Sequence, residues 1–188
     1  ELLGAPWCRP LAGTLDKLVV ESELLADNPL GDPSRRPLYV LRPPGVDLDH
    51  PRPLPTVYVL QGYFNQVEKW RNVELFSPTG IERFDELLAD PDCPDAIVVF
   101  PDCWTTYGGS QFLDSAATGR YHSYLCEEIL PFVDDRYPTA TEGARRGVSG
   151  HSSGGYGAMI TAMKRPDLFG GLVSHAGDAL FEVTMAPG

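Results

Sequence analysis

Apolar positions along the chain follow two rhythms. Thr56-Val57-Tyr58-Val59-Leu60 and Ala96-Ile97-Val98-Val99-Phe100 are apolar on both faces, as buried central strands are. Leu15 to Ser22 predicts an edge strand, and Leu38-Tyr39-Val40-Leu41 a second strand beyond the turn Asn28-Pro29-Leu30-Gly31-Asp32-Pro33. A further proline-rich turn, from Pro43 to Pro55, feeds the run at Thr56. These opening three strands are expected to be antiparallel or mixed. A helical rhythm follows over Val67 to Glu74 and over Gly80 to Ala89, the latter with Ile81, Phe84, Leu87 and Leu88 on one side. Arg120 to Tyr137 predicts a long amphipathic helix with Tyr124, Leu125, Ile129, Phe132 and Val133 inward, which Pro131 should kink or divide. Arg145 to Ser149 is a short extended approach. Gly155 to Lys164 is helical, with Ala158, Met159, Ile160, Ala162 and Met163 on its pattern, and ends before Pro166. Gly171 to Ala176 makes a last strand. Such alternation calls for a mostly parallel central sheet with helices on both faces, an α/β class.

Composition narrows the function without naming it. The 188 residues are a one-domain length, so residues 1–188 are expected to form a single α/β domain. Apolar content of 43% and charged content of 22% are those of a soluble globular protein. A net charge of −11 leaves no basic stripe to displace counterions, so nucleic acid is not an expected partner. No apolar run approaches the roughly 20 residues that span a bilayer, so no membrane partner is expected either. The start, Glu1-Leu2-Leu3-Gly4, lacks the features of a signal peptide; a cytoplasmic location is expected, although the absence of an initial Met leaves room for a removed leader. Cys8, Cys93, Cys103 and Cys126 lack metal-ligand spacing. Free thiols are expected, with a Cys93–Cys103 disulfide as the alternative, and no metal.

The chemistry concentrates at Gly150-His151-Ser152-Ser153-Gly154. It reads G-x-S-x-G and falls where a strand hands over to a helix. In that setting a tight turn lifts the Ser152 hydroxyl clear of the sheet, and the flanking glycines make room for it. Ser152 is therefore the candidate nucleophile. A serine alcohol needs a base to take its proton and donors to hold an oxyanion. The Ser153 backbone N–H supplies one donor. Leu60-Gln61-Gly62-Tyr63 ends an earlier central strand, with a glycine that lets the next amide point inward. The Tyr63 N–H is assigned as the second donor. Trp104, Tyr107, Ser110 and Gln111 follow another strand at the carboxyl edge of the sheet, where they either form part of a pocket or pack the loop. Asp102 reads more simply as a partner for loop amides.

Further stretches carry a resemblance: Asn28 to Pro33, Tyr39-Val-Leu-Arg-Pro-Pro-Gly45, Val57-Tyr-Val-Leu-Gln-Gly62, Val99-Phe-Pro-Asp102, Tyr107-Gly-Gly-Ser-Gln111, Gly119-Arg-Tyr121, Glu128-Ile-Leu-Pro131 and the Ser152 junction. From about Glu21 to Glu182 the chain resembles the esterase family of α/β-hydrolases. That family includes esterase D (S-formylglutathione hydrolase), feruloyl esterases, enterochelin esterases and mycolyltransferases. The resemblance implies an α/β-hydrolase fold and a small-molecule carboxylic ester or thioester as substrate. It also implies an acyl-serine intermediate, with no cofactor. Many relatives carry His where Gln61 stands; since the donor is a backbone amide, this departure bears on pocket shape more than on catalysis. Relatives place the triad acid and His beyond the strand ending here near Ala176. The fold is thus expected to be truncated at its C-terminus, the triad acid and His being not identified in this chain.

The residues present offer weak substitutes. Asp178 either stands in as the acid, caps the next segment or lines the pocket. His151 should diverge from the Ser152 Oγ and is read as a packing or oxyanion-loop contact. His175 reads as a core histidine, His122 as helical, and His50 as part of a turn. None is a convincing base. Acyl transfer on the same fold, or a non-catalytic binding protein or fragment lacking the base, remain the alternatives. A bare sheet edge would allow a homodimer.

Overall fold

The computed structural model describes residues 9–49 and 51–179; Cys8, His50 and Glu182 lie outside them. Its strands are β1 (Thr14–Glu21), β2 (Arg35–Arg42), β3 (Thr56–Leu60), β4 (Ile97–Pro101), β5 (Asp114–Ser115), β6 (Gly119–Arg120), β7 (Arg146–His151) and β8 (Gly171–His175). Six of them form one sheet in the order β1-β2-β4-β3-β7-β8, while β5 and β6 make a separate small hairpin. β1 and β2 pair antiparallel from Thr14 opposite Arg42 to Glu21 opposite Arg35, and β2 pairs antiparallel with β4. From β4 onward every pairing is parallel.

The three opening strands are thus mixed in their pairing: β1 and β2 pair antiparallel, while β3 pairs with parallel neighbours. The chain crosses the place later filled by β4 and lays β3 on its far side. The physical reason is burial: four of the five β3 residues are buried, which an interior place between β4 and β7 allows and an edge does not.

Helices cover both faces. On one face α1 (Gly80–Leu88) and a 3₁₀ turn (Val67–Arg71) bury Ile81, Leu88 and Val67 against Tyr39, Val59 and Phe100. The expected helix over Val67 to Glu74 is thus only this short turn. Thr79 and Glu82 close a capping box on α1: Glu82 N donates to Thr79 Oγ1 at 3.1 Å, and Thr79 N to Glu82 Oε2 at 2.7 Å. Leu87 turns outward, 55% exposed. The inward position is taken by Asp85, whose carboxylate accepts from the Ala12 and Gly13 amides at 2.9 and 2.7 Å.

The other face carries α2 (residues 121–134) and α3 (Ser153–Lys164), with Tyr124, Leu125, Ile129 and Ala158 against Tyr58, Leu60 and Val148. Pro131 lacks an N–H and would press on the carbonyl four residues back. The helix meets this by widening to a π-turn over Tyr124–Ile129, where the Leu130 N–H reaches the Leu125 carbonyl, before resuming as Leu130–Asp134. At its end Asp134 accepts from Arg146 Nη2 at 2.7 Å, under a guanidinium side chain only 2% exposed. Cys93, Cys103 and Cys126 are free thiols, so Cys93 and Cys103 are not bridged.

Candidate active site

The sheet register brings two remote loops together. Leu60 of β3 lies opposite Gly150 of β7. Two residues beyond each are Gly62 and Ser152, and a Cβ on Gly62 would sit 3.6 Å from the Ser152 Cβ. The loop after β3 is thereby pressed against the β7–α3 junction at the carboxyl edge of the parallel strands.

Ser152 turns that junction with φ 55° and ψ −122°. This is a conformation that few residues other than glycine adopt, and it costs of the order of 1–3 kcal/mol. Three features hold it. The Ser152 N–H donates to the His175 carbonyl on β8 at 2.9 Å, and the Tyr156 N–H donates to the Ser152 carbonyl at 3.0 Å. The flanking glycines permit the crossing of chains: a Cβ on Gly150 would meet the Gly154 carbonyl oxygen at 2.2 Å, and one on Gly154 the Leu60 oxygen at the same distance. Ser152 itself remains partly exposed.

Two backbone amides belong to the segments that meet here. Ser153 is the first residue of α3, so its N–H has no acceptor within the helix. Its side chain is buried and donates from Oγ to Gln111 Oε1 at 2.7 Å. In the other loop, Gly62 to Asn65 form a turn in which Asn65 N reaches the Gly62 carbonyl at 3.3 Å, and Phe64 N reaches the Gly108 carbonyl at 2.8 Å. Among the described residues the Tyr63 N–H donates to nothing. Tyr63 and Phe64 meet edge to face at 4.7 Å, and a Cβ on Gly108, itself at φ 101°, would strike the Phe64 ring at 2.6 Å. Gly62, Asn65, Gly108 and Ser153 close on one another in a crease too tight to admit a water molecule. A larger open groove, lined by Arg9, Leu11, Lys17 and Ile81, lies on the β1 side and touches none of these residues.

The remaining candidates separate. Gln61 is buried and satisfied when its nitrogen donates to the Pro101 carbonyl at 2.9 Å and its oxygen accepts from Cys103 N at 3.1 Å, so its side chain ties β3 to the end of β4. Trp104 is half-buried, and its carbonyl accepts from Arg36 Nη2 at 2.8 Å. Tyr107 is 62% exposed and Phe64 79% exposed. Gln111 and Phe112 both adopt positive φ, 54° and 56°, which turns the Gln111 amide onto Ser153 and the Phe112 ring against Gly157 of α3. Asp102 accepts from the Val67 amide at 3.1 Å and pairs with buried Arg36 at 3.2 Å. Burial pushes its carboxyl up, against the lowering pull of Arg36 and the Val67 amide. Tyr121, hydrogen-bonded to the same guanidinium, is pushed up to about 12 by burial.

The histidines do not converge on Ser152. His151 is exposed, and it is its carbonyl oxygen that lies against Gly62, 3.3 Å from where a Cβ would be. His175 is exposed at the end of the edge strand β8, not in the core, because no strand covers its outer side among the described residues. His122 is buried on α2, 3.9 Å from Cys126 Sγ, and burial together with Lys164 and Arg165 holds it below the ordinary imidazole range. Asp178 is half-buried beyond β8. Among the described residues no hydrogen bond joins Ser152 Oγ to a histidine. Asn65 and Arg36 carry no functional reading in the sequence, and Tyr121 enters there only within the stretch Gly119-Arg-Tyr121. Asn65 has a local signal, three residues past Gly62 at the end of β3; Arg36 has none, being 66 residues from Asp102.

Comparison with known proteins agrees in kind. A family model described as "Putative esterase" matches residues 33–180, well over half of the chain. S-formylglutathione hydrolase of Bos taurus is 43% identical over 47 residues, 25% of this chain and 16% of that protein. A solved ferulic acid esterase superposes with a TM-score of 0.72 at 18% identity, covering 88% of this chain and 60% of that one. An S-formylglutathione hydrolase from Agrobacterium tumefaciens gives 0.64 at 22% identity, covering 90% and 60%. At these identities the structural likeness is one of fold. The chain spans about 60% of the length of these two solved structures.

Proposed function

Because the chain belongs to the esterase family matched over residues 33–180, we propose that it cleaves a carboxylic ester or thioester through an acyl-serine formed at Ser152. One observation carries the reading. Ser152 turns a strand-to-helix junction at positive φ with Gly62 packed against it, an arrangement with no evident structural purpose that repays its strain.

In this reading residues 1–188 act as one domain. Ser152 Oγ attacks the acyl carbonyl carbon while its proton passes to a base. The carbonyl oxygen, now carrying the negative charge, is met by the Tyr63 and Ser153 amides. Collapse expels the alcohol or thiol, which takes up the proton, and water then repeats the sequence to release the acid. The base in this scheme is an Asp/Glu–His pair, not one of the three described histidines. No metal or cofactor enters it.

The test uses the full chain. A fluorophosphonate should add to the peptide containing Ser152, and p-nitrophenol should be released from a short-chain ester. Ser152→Ala should abolish both while leaving the folded state intact. A folded full chain that takes no label, or a Ser152→Ala variant that still turns over, overturns the proposal.

A further inference from the structure

We propose that Asn65 is a positioning residue that aims the Tyr63 amide at the developing oxyanion, a role that rests on the reaction proposed above. The Asn65 side-chain nitrogen Nδ2 donates to two carbonyls at once, Gly62 O at 3.3 Å and Tyr63 O at 2.9 Å. These are the carbonyls of the two peptide planes that meet at Tyr63. A trans peptide is planar, with its C=O and N–H on opposite sides. Holding Gly62 O toward Asn65 therefore turns the Tyr63 N–H the other way, out of the turn. Holding Tyr63 O likewise directs the Phe64 N–H away from Asn65, and that amide is consumed by Gly108 O at 2.8 Å. Of the three amides in the turn, Phe64 and Asn65 are bonded within the protein and Tyr63 is left to meet a ligand.

The turn needs this hold. Phe64 occupies its third position at φ 62°, where a turn of this shape favours glycine. Rotating the central peptide would relieve that residue, and the side-chain bond to Tyr63 O opposes the rotation together with the Phe64 N–H bond to Gly108 O. A single NH₂ group is the right chemistry because it has two hydrogens and both acceptors are oxygens. An aspartate side chain in its place, of equal shape, would bring carboxylate oxygens against two carbonyl oxygens.

The experiment compares Asn65→Ala and Asn65→Asp with the wild-type full chain. Ester turnover is measured per active site, counted by stoichiometric fluorophosphonate labelling so that misfolded molecules drop out. An amide aimed at the transition state alone should be felt in kcat and not in KM. We expect both variants to lose about tenfold or more in kcat, short of the 10²–10³ that follows outright loss of such a donor, with KM changed less than about twofold. Phosphonylation of Ser152 should slow in parallel, and Asn65→Asp should be no better than Asn65→Ala. Variants whose labelled sites turn over at the wild-type kcat, while the wild type is labelled normally, overturn the role of Asn65 alone. A wild-type chain that takes no label at Ser152 overturns the parent reading and this role with it.

Discussion

Ser153 Oγ donates a 2.7 Å hydrogen bond to Gln111 Oε1, tying the first residue of α3 to a loop 42 residues upstream. The Ser153 side chain is buried, so the bond cannot be replaced by bulk water. Gln111→Ala leaves that hydroxyl unsatisfied and is expected to cost about 1–3 kcal/mol, read from urea unfolding. An unchanged midpoint and slope would show that the loop does not brace the helix start.

Gly154→Ala is expected to be far more damaging, because its Cβ would lie 2.2 Å from the Leu60 oxygen, a backbone atom that cannot step aside. A loss of at least about 3 kcal/mol, or failure to accumulate as soluble protein, is expected. Gly171→Ala serves as control, since nothing lies within 4 Å of its Cβ position. It should stay within about 0.5 kcal/mol of wild type. Equal effects at the two positions would contradict the packing of β7 and α3 described above.

Ser152→Gly and Ser152→Ala should part company in stability. Alanine inherits the strained φ of 55°, whereas glycine adopts it freely. Glycine is expected to be the more stable variant by about 1 kcal/mol, a fraction of the strain at such a site. Thermal melts of the two proteins side by side give the answer, and a melting order with alanine on top is the adverse result.

His122 makes stability depend on pH. Burial, helped by Lys164 and Arg165 and opposed by Asp114 and Glu127, holds its folded pKa below the ordinary 6.5. The unfolded chain therefore binds the proton more readily, and its contribution is complete above pH 6.5 and is lost as pH falls from there through the folded pKa. His122→Gln should flatten this part of the decline in urea midpoint between pH 7.5 and 5. Curves of identical slope for variant and wild type would remove His122 from the account.

Asp134→Ala strands a guanidinium: the Arg146 side chain is 2% exposed and meets the Asp134 carboxylate at 2.7 Å. Removing one partner of a buried pair costs about 3–5 kcal/mol, and partial exposure of Asp134 places the expected loss near 3 kcal/mol. Urea unfolding again measures it, with a loss under about 1 kcal/mol as the contrary outcome.

The strand Thr56–Leu60 could be read to the residue, because burial on both faces leaves an uninterrupted apolar run. The strand-to-helix junction at Ser152 was equally plain, since its glycines answer to contacts within five residues and the Leu60 carbonyl. Strand order was not. Whether β2 takes β3 or β4 as neighbour depends on which faces the helices later cover, and nothing local to β2 records that choice. Leu87 misled for a related reason: helical spacing puts it inward, yet Asp85 wins the place through the amides of Ala12 and Gly13. His175 sits among apolar neighbours in sequence, but strand position alone does not reveal that its outer side is bare. Arg36 and Asp102 find each other only after the sheet has formed.

The π-turn in α2 has a consequence for how this helix can change. Its first half is fastened to the small hairpin, with Ser123 held by Asp114 at 2.7 and 2.9 Å, while Leu130 and Val133 of its second half sit in the core. Each residue of an α-helix advances about 100° around the axis. A π-turn fits one more residue into a turn than a regular coil does, so excising one residue between Tyr124 and Ile129 would restore a regular coil and keep those two halves in phase, while removing the widened turn itself. Glu128, which clamps the corner at Ser22, Glu23 and Leu24, would be swung off its grip. The extra residue thus serves the grip of Glu128 rather than the two anchorages, and a shorter helix here would be more regular and would let that corner go.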